Sequence, residues 1–185
     1  MSSRTETKYW TREHFLVSTD KNLLSPTAIN RAFAQDFIYW AQPFPEEVLR
    51  SIIDNSVCFG LYRLASHPVS DSEGVLSNIP VGSLTSGNVE QIGFGRLITD
   101  SVTFAYLSDV YVLPEYQGNG LGGWLIDCVD EVVKPLPYLR WLMLRTSGEK
   151  RQESYEKRLG MSVIQSGDIR KGPVMMGRKG ERGTV

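Results

Sequence analysis

Ser108-Asp109-Val110-Tyr111-Val112-Leu113-Pro114-Glu115-Tyr116-Gln117-Gly118-Asn119-Gly120-Leu121-Gly122 reads as a strand, a short turn and a glycine-rich helix start. The helix that follows is the clearest in the chain: Leu121, Trp124, Leu125, Cys128, Val129 and Val132 share one face, Asp127, Asp130, Glu131 and Lys134 fall mostly opposite, and Pro135 and Pro137 end it. A helix N-terminus carries unpaired backbone N–H groups and the positive end of the dipole, so small residues there let a pyrophosphate approach the backbone. The glycines by themselves also fit a turn of no special purpose. Two other phosphate motifs are excluded. A P-loop needs Lys and Ser or Thr after the last glycine, where Gly123 and Trp124 stand. A dinucleotide fingerprint needs glycines at other offsets and an acidic residue near the next strand, which carries Arg140 and Arg145.

Working outward, His14 to Val17 predicts a short strand. Ser25-Pro26 predicts a helix N-cap, with Ile29, Phe33, Phe37 and Trp40 as one apolar face, and a second helix starts near Pro45 with Glu46 and Glu47 in its first turn. Val57 to Leu64, Gln91 to Ile98 and Thr103 to Leu113 predict strands, and the Ser-, Gly- and Pro-rich stretch 66–90 predicts an inserted surface loop. Leu139 to Leu144 is a further strand, Glu149 to Leu159 a helix capped by Gly160, and Met161 to Gln165 and Pro173 to Gly177 the last strands. No internal repeat is present. The expectation is a single α/β (α+β) domain over 8–179, with 1–7 and 180–185 as flexible ends.

Composition narrows the function. The chain has 185 residues, 41% of them hydrophobic and 22% charged, enough for one core. Lys plus Arg number 20 against 21 Asp plus Glu, so no basic excess exists to bind nucleic acid or an acidic membrane, and a small-molecule partner is expected. Cys58 and Cys128 lie in apolar stretches without metal-ligand spacing and read as core thiols; His14 and His67 suggest no metal site. Without a signal-like or membrane-length apolar run, an intracellular protein is expected, in the cytoplasm with the nucleus left open.

The opening stretch resembles motif A of the GNAT superfamily of acetyltransferases: Gln117, Gly120 and Gly122 match its signature of Gln or Arg, two residues, Gly, one residue, then Gly or Ala. Tyr155-Glu156-Lys157-Arg158-Leu159-Gly160 is similar to the family's later "YEKLGF" ending, with Met161 in place of the aromatic. Val17 to Asp20, Tyr39 to Ala41, Pro45 to Val48 and Gly93 to Asp100 extend the likeness to a group of small GNAT proteins. The resemblance implies a mixed, mainly antiparallel sheet of about six or seven strands flanked by about four helices. It also implies acetyl-CoA as co-substrate, with the backbone of Val110, Tyr111 and Val112 along the pantetheine arm and amides of Gln117, Gly118, Asn119, Gly120, Leu121 and Gly122 on the pyrophosphate.

In such an enzyme an amine attacks the thioester directly, the Val110 to Val112 amides are candidates for the oxyanion, and the departing sulfur needs a proton or a hydrogen bond. Tyr155 occupies the position where the family often keeps a tyrosine for that task, or else packs on Leu159. Asp109 is a candidate base for the amine, or else fixes a turn or a nearby Arg. Arg96, on a strand face with Ile92, Phe94 and Ile98, needs an acidic partner such as Asp100 or Asp109, or a substrate carboxylate. Trp40, Tyr39 and Tyr106 either wall an acceptor pocket or join the core. A small amine is the expected acceptor, with a peptide or protein amine, a non-catalytic acyl-CoA sensor and a structural domain as alternatives, and a homodimer left open. No metal is expected.

Overall fold

The computed structural model describes residues 6–64, 85, 88–164 and 168–179. The expected loop 66–90, apart from Thr85 and Asn88 to Glu90, and the ends 1–5 and 180–185 lie outside the described residues. Eight strands form one sheet: β1 Tyr9–Arg12, β2 Phe15–Ser18, β3 Val57–Leu64, β4 Val89–Thr99, β5 Phe104–Val112, β6 Trp141–Thr146, β7 Ser162–Val163 and β8 Val174–Lys179. Their order is β1-β2-β3-β4-β5-β6-β8-β7. The helices are α1 Pro26–Phe33, α2 Glu46–Asp54, α3 Leu121–Val133 and α4 Glu149–Leu159. β1–β2, β2–β3, β6–β8 and β7–β8 pair antiparallel; β5–β6 is parallel, as the crossover through α3 requires. Two compact units result, Met1–Phe94 with Tyr111–Tyr116, and Gly95–Val110 with Gln117–Val185.

The first unit opens with a strand that the sequence reading lacks. β1 pairs Tyr9 with Ser18 and Arg12 with Phe15, leaving Glu13, at φ 53, and His14 as the turn rather than as strand residues. Ser25 caps α1 as expected, its Oγ accepting from the Ala28 N–H at 3.2 Å, with Pro26 at the first helical position. α1 stops at Phe33 instead of continuing to Trp40. The cause lies across the loop: the Asn30 side chain donates to the Phe44 carbonyl at 2.8 Å and accepts from the Phe44 N–H at 3.0 Å, tying the following loop back onto α1. Ile38 is thereby buried while Trp40 stays 39% exposed. Leu16, Ile29, Phe33, Leu49, Ile53, Cys58, Tyr62 and Phe94 fill this core. Each large apolar side chain so buried stabilises the unit by about 1.5–3 kcal/mol.

The second unit is built on the β4–β5 hairpin, the β5–α3–β6 crossover and the β6–β8–β7 pairing. Of the face that its periodicity predicts, α3 buries Leu121, Leu125, Cys128 and Val129; Trp124 and Val132 are half-buried, and Ile126 and Val133 are buried in addition, whereas α4 buries Leu159 alone and ends at Gly160 in the left-handed region, φ 59. The Arg178 guanidinium of β8 lies 2.9 Å from the Asp130 carboxylate of α3.

Asp100 closes the hairpin. Its Oδ1 accepts from the N–H groups of Val102, Thr103 and Phe104 at 3.0, 2.8 and 3.0 Å, and its Oδ2 from the Thr103 hydroxyl at 2.6 Å. The Thr103 hydroxyl first, and then the backbone donors, hold its carboxyl well below the ordinary value of 3.8. A depressed folded-state value means that the contribution is complete above the unfolded value and is lost as pH falls through the folded one. Asp100→Ala should therefore lower stability by about 1 kcal/mol at neutral pH, the cost of losing a comparable side-chain cap. Urea denaturation should show that deficit narrowing as pH drops below about 4; an unchanged deficit at low pH would place the loss elsewhere.

Candidate functional site

α3 begins at an exposed glycine loop. Gln117, Gly118, Asn119 and Gly120 are all exposed, and Leu121, 2% exposed, anchors the first helical residue in the core. Gly118, at φ 87, and Gly120, at φ 72, both adopt the left-handed region that an L side chain rarely enters. The Gly120 carbonyl accepts the Trp124 N–H at 3.0 Å, so the helix proper starts there. The N–H groups of the residues just after Gly120 accordingly have no carbonyl within the helix to bond. Gly120 offers no side-chain cap and the first turn holds no acidic residue. The result is a positive, uncapped helix end open to an anion.

Gly123 and Arg158 flank this turn and were not singled out from sequence. A Cβ at Gly123 would collide with the Arg158 guanidinium, which pairs through Nη1 with Asp127 Oδ2 at 2.5 Å. The available signal was the glycine doublet at a helix start, where helix propensity gives no reason for a second glycine.

β5 changes character midway. Its parallel register with β6 runs from Phe104↔Trp141 to Leu107↔Leu144 and stops, while β6 continues to Thr146 against β8. Burial alternates from Phe104 to Ser108 and then loses its alternation, with Asp109 and Val110 both half-buried. Asp109 sits at φ 55, the left-handed region, which costs an ordinary residue about 1–2 kcal/mol and Asp somewhat less. One residue in this conformation within a strand acts as a bulge, shifting which way the later side chains point.

Two of the residues expected at the site meet here. Arg96 Nε donates to Asp109 Oδ2 at 2.5 Å, with the side chains 17% and 13% exposed. The Ser108 hydroxyl donates to Asp109 Oδ1 at 3.3 Å. Both carboxylate oxygens are thus engaged, and Arg96 has an acidic partner. A Cβ at Gly95 would lie 3.5 Å from Val110 Cγ2, in ordinary van der Waals contact.

Tyr111 and Val112, which finish β5, belong to the first unit. Both side chains are buried, and the Tyr111 ring meets Phe33, Phe37 and Phe94 at centroid distances of 6.2, 6.3 and 6.3 Å. What these residues can offer a ligand is backbone. Trp40, also of the first unit, packs edge-on against Tyr39 at 5.1 Å. Tyr106 belongs to the second unit and is half-buried, between the buried Ala105 and Leu107. Tyr155 lies half-buried on α4 and has no hydrogen bond among the described residues. Burial pushes its phenol up to about 12, with Arg151 acting in the opposite direction. Among the described residues no cluster of three or more His, Cys, Asp or Glu can hold a metal ion, and no helix is long and apolar enough to cross a membrane.

Residues 85–159 match the family described as acetyltransferase (GNAT) domain. A Gibberella zeae protein that carries a provisional acetyltransferase name is 39% identical over 172 residues, 93% of this chain and 93% of that one. A crystal structure from Xanthomonas campestris pv. campestris, described as belonging to the GNAT family, is 29% identical and covers 87% of this chain and 91% of its own, with a TM-score of 0.55. The ribosomal-protein-S5-alanine acetyltransferase of Vibrio fischeri is similar at a TM-score of 0.59 over 96% of this chain and 100% of that one; at 11% identity this likeness is one of fold.

The raised Tyr155 value has a direct spectroscopic consequence. An ordinary phenol is half ionised near 10, so wild type and Tyr155→Phe should show the same tyrosinate absorbance up to about pH 11 and diverge above it. Divergence near pH 10 would mean that the phenol is not shielded.

Proposed function

Because the chain belongs to the GNAT family of acetyltransferases, we propose that it transfers an acetyl group from acetyl-CoA to the primary amine of a small molecule. The observation that carries the donor assignment is the exposed α3 N-terminus, entered through two left-handed glycines and capped by no side chain. Such an end suits a pyrophosphate, which receives N–H bonds and favourable dipole potential without displacing a competing carboxylate. The residues from Gln117 to Gly122 would supply those amides, and the backbone of Val110 to Val112 would run beside the pantetheine arm, where β5 has left the β6 register.

Acetyl-CoA supplies the thioester; the chain supplies orientation and charge stabilisation. A neutral amine attacks the thioester carbon, the C–S bond breaks as the amide forms, and one proton leaves nitrogen while the departing sulfur gains one. The Val110 N–H is assigned to the oxygen on which charge develops. Tyr155 is assigned to the sulfur, as a hydrogen-bond donor rather than as an acid that gives up its proton. A phenol near 12 cannot readily protonate a thiolate whose ordinary value is about 8.5, since that transfer is uphill by about 5 kcal/mol. A hydrogen bond to the charged sulfur contributes about 1.5–3 kcal/mol without moving the proton, which then comes from the attacking nitrogen through solvent.

Asp109, from sequence either a candidate base or the anchor of a turn or a nearby Arg, enters this scheme through the strand that it shapes, because both of its oxygens are already engaged. Of the aromatic residues expected at the acceptor, Tyr106, half-buried in the second unit, is assigned to it; Trp40, in the first unit, is 39% exposed. The near balance of charge supports a small acceptor over a polyelectrolyte.

Calorimetric titration with acetyl-CoA should show saturable binding to wild type and none to a folded Gly120→Trp variant, whose side chain enters the anion site and strains φ 72. A wild type that binds no CoA ester would overturn the donor assignment. Release of CoA thiol should then be screened with small amines beside peptides with free amino termini, turnover only of the peptides overturning the acceptor class. With the amine so found, Tyr155→Phe should lower kcat about 10- to 100-fold and leave acetyl-CoA affinity within about threefold, the loss of one hydrogen bond made to a charge formed in the transition state.

A further inference from the structure

Asp109 holds a backbone conformation that most residues avoid, and the residue after it is Val110, whose N–H the proposed mechanism assigns to the thioester oxygen. Without support, an alanine in this region is outweighed by the ordinary strand conformation by roughly 5- to 30-fold. The support is visible: Arg96, on the neighbouring strand β4, donates from Nε to Asp109 Oδ2 at 2.5 Å, in a pair more than four-fifths buried. Ser108 adds a weaker hold on the other oxygen at 3.3 Å. The pair sits two residues beyond the last β5–β6 register position, Leu107↔Leu144, so β6 does not fix the β5 backbone here.

Resting on the reading of the Val110 amide as the oxyanion donor, we infer that Arg96 is a positioning residue. Its ion pair with Asp109 holds the left-handed turn of β5 and thereby aims the Val110 N–H. Arg96 touches neither donor nor acceptor in this scheme. A partly buried guanidinium that served a substrate carboxylate would be left without an anion between turnovers; one that pins a bulge has its partner permanently within the chain. Arginine suits the task because its planar fork fixes the direction as well as the distance of the carboxylate.

The distinguishing feature is that a glycine at 109 can hold φ 55 unaided, whereas an alanine cannot. Two double variants therefore decide the matter, both free of an unpaired buried charge: Arg96→Met with Asp109→Gly, and Arg96→Met with Asp109→Ala. The probes are CoA, for affinity, and [1-13C]acetyl-CoA, whose bound carbonyl stretch moves to lower frequency when an N–H polarises it. CoA should still bind both variants, because the loop at Gln117 to Gly122 is untouched, and should bind the glycine variant within about threefold of wild type, because that variant keeps the course of Val110 to Val112 along the pantetheine arm. The low-frequency carbonyl band should be present in wild type, retained in the glycine variant and lost in the alanine variant. Arg96→Lys, which keeps one donor, should retain part of the band. Equal bands in the two double variants, whether both kept or both lost, would overturn the positioning role; both lost would point to direct contact of Arg96 with substrate. A wild type that binds CoA but shows no shifted band would overturn the Val110 assignment, and this inference with it, while leaving the pyrophosphate site standing.

Discussion

Backbone N–H and C=O groups must find partners, and β5 runs out of one. Up to Leu107 it is bonded to β6; beyond that residue the parallel register ends while β6 keeps its antiparallel partner β8 as far as Thr146. The chain answers with a left-handed residue at Asp109, an ion pair to hold it, and a helix that starts with glycines a few residues later. A strand that is released from its neighbour just before it feeds a helix N-terminus presents main-chain donors in two successive forms, first along the strand and then at the helix end. The GNAT fold puts those donors in one stretch of chain, Ser108 to Gly122, and each unit packs its own part of that stretch.

That packing is uneven in kind. α3 is held by apolar burial along most of its length, whereas α4 buries only Leu159 and adds to it the partly exposed ion pair of Arg158 with Asp127. Polar fastening is weaker and more sensitive to salt than burial, since the Arg158 and Asp127 side chains are 35% and 46% exposed. α4 carries Tyr155, so the element bearing the proposed donor to sulfur is also the less firmly buried of the two helices. In the first unit the opposite holds: the Tyr111 ring packs against Phe33, Phe37 and Phe94, so the end of β5 is held there by aromatic burial.

What the sequence made legible follows from the range over which each signal acts. The periodicity of α3, the Ser25-Pro26 cap of α1 and the Gly160 stop of α4 are local, and each was readable from a few neighbouring residues. The end of α1 is not legible, because apolar spacing continues through Phe37 and Trp40, while the interaction that stops the helix joins Asn30 to Phe44 across the loop. β1 was missed because half of it is exposed, so it shows no buried stripe, and its pairing with β2 is what makes it a strand. At the site, the glycine loop at the start of α3 is legible, and Asp109 stands among the acidic partners that Arg96 calls for. The left-handed conformation of Asp109 was not readable, because an aspartate in a strand carries no mark of its φ. The Gly123–Arg158 contact joins residues far apart in the chain and left only the unexplained second glycine as a trace.

Gly118 and Gly123 show how one letter can stand for two unrelated demands. Around Gly118 nothing lies within 4 Å of where a Cβ would be, yet φ is 87, so the position asks for an achiral residue and is indifferent to bulk. At Gly123 the backbone is ordinary helix and the space above it is taken by the movable end of Arg158, so a side chain there would displace that guanidinium without straining the backbone. A substitution score that assigns glycine a single cost must misjudge at least one of them, because stereochemistry governs the first and excluded volume the second.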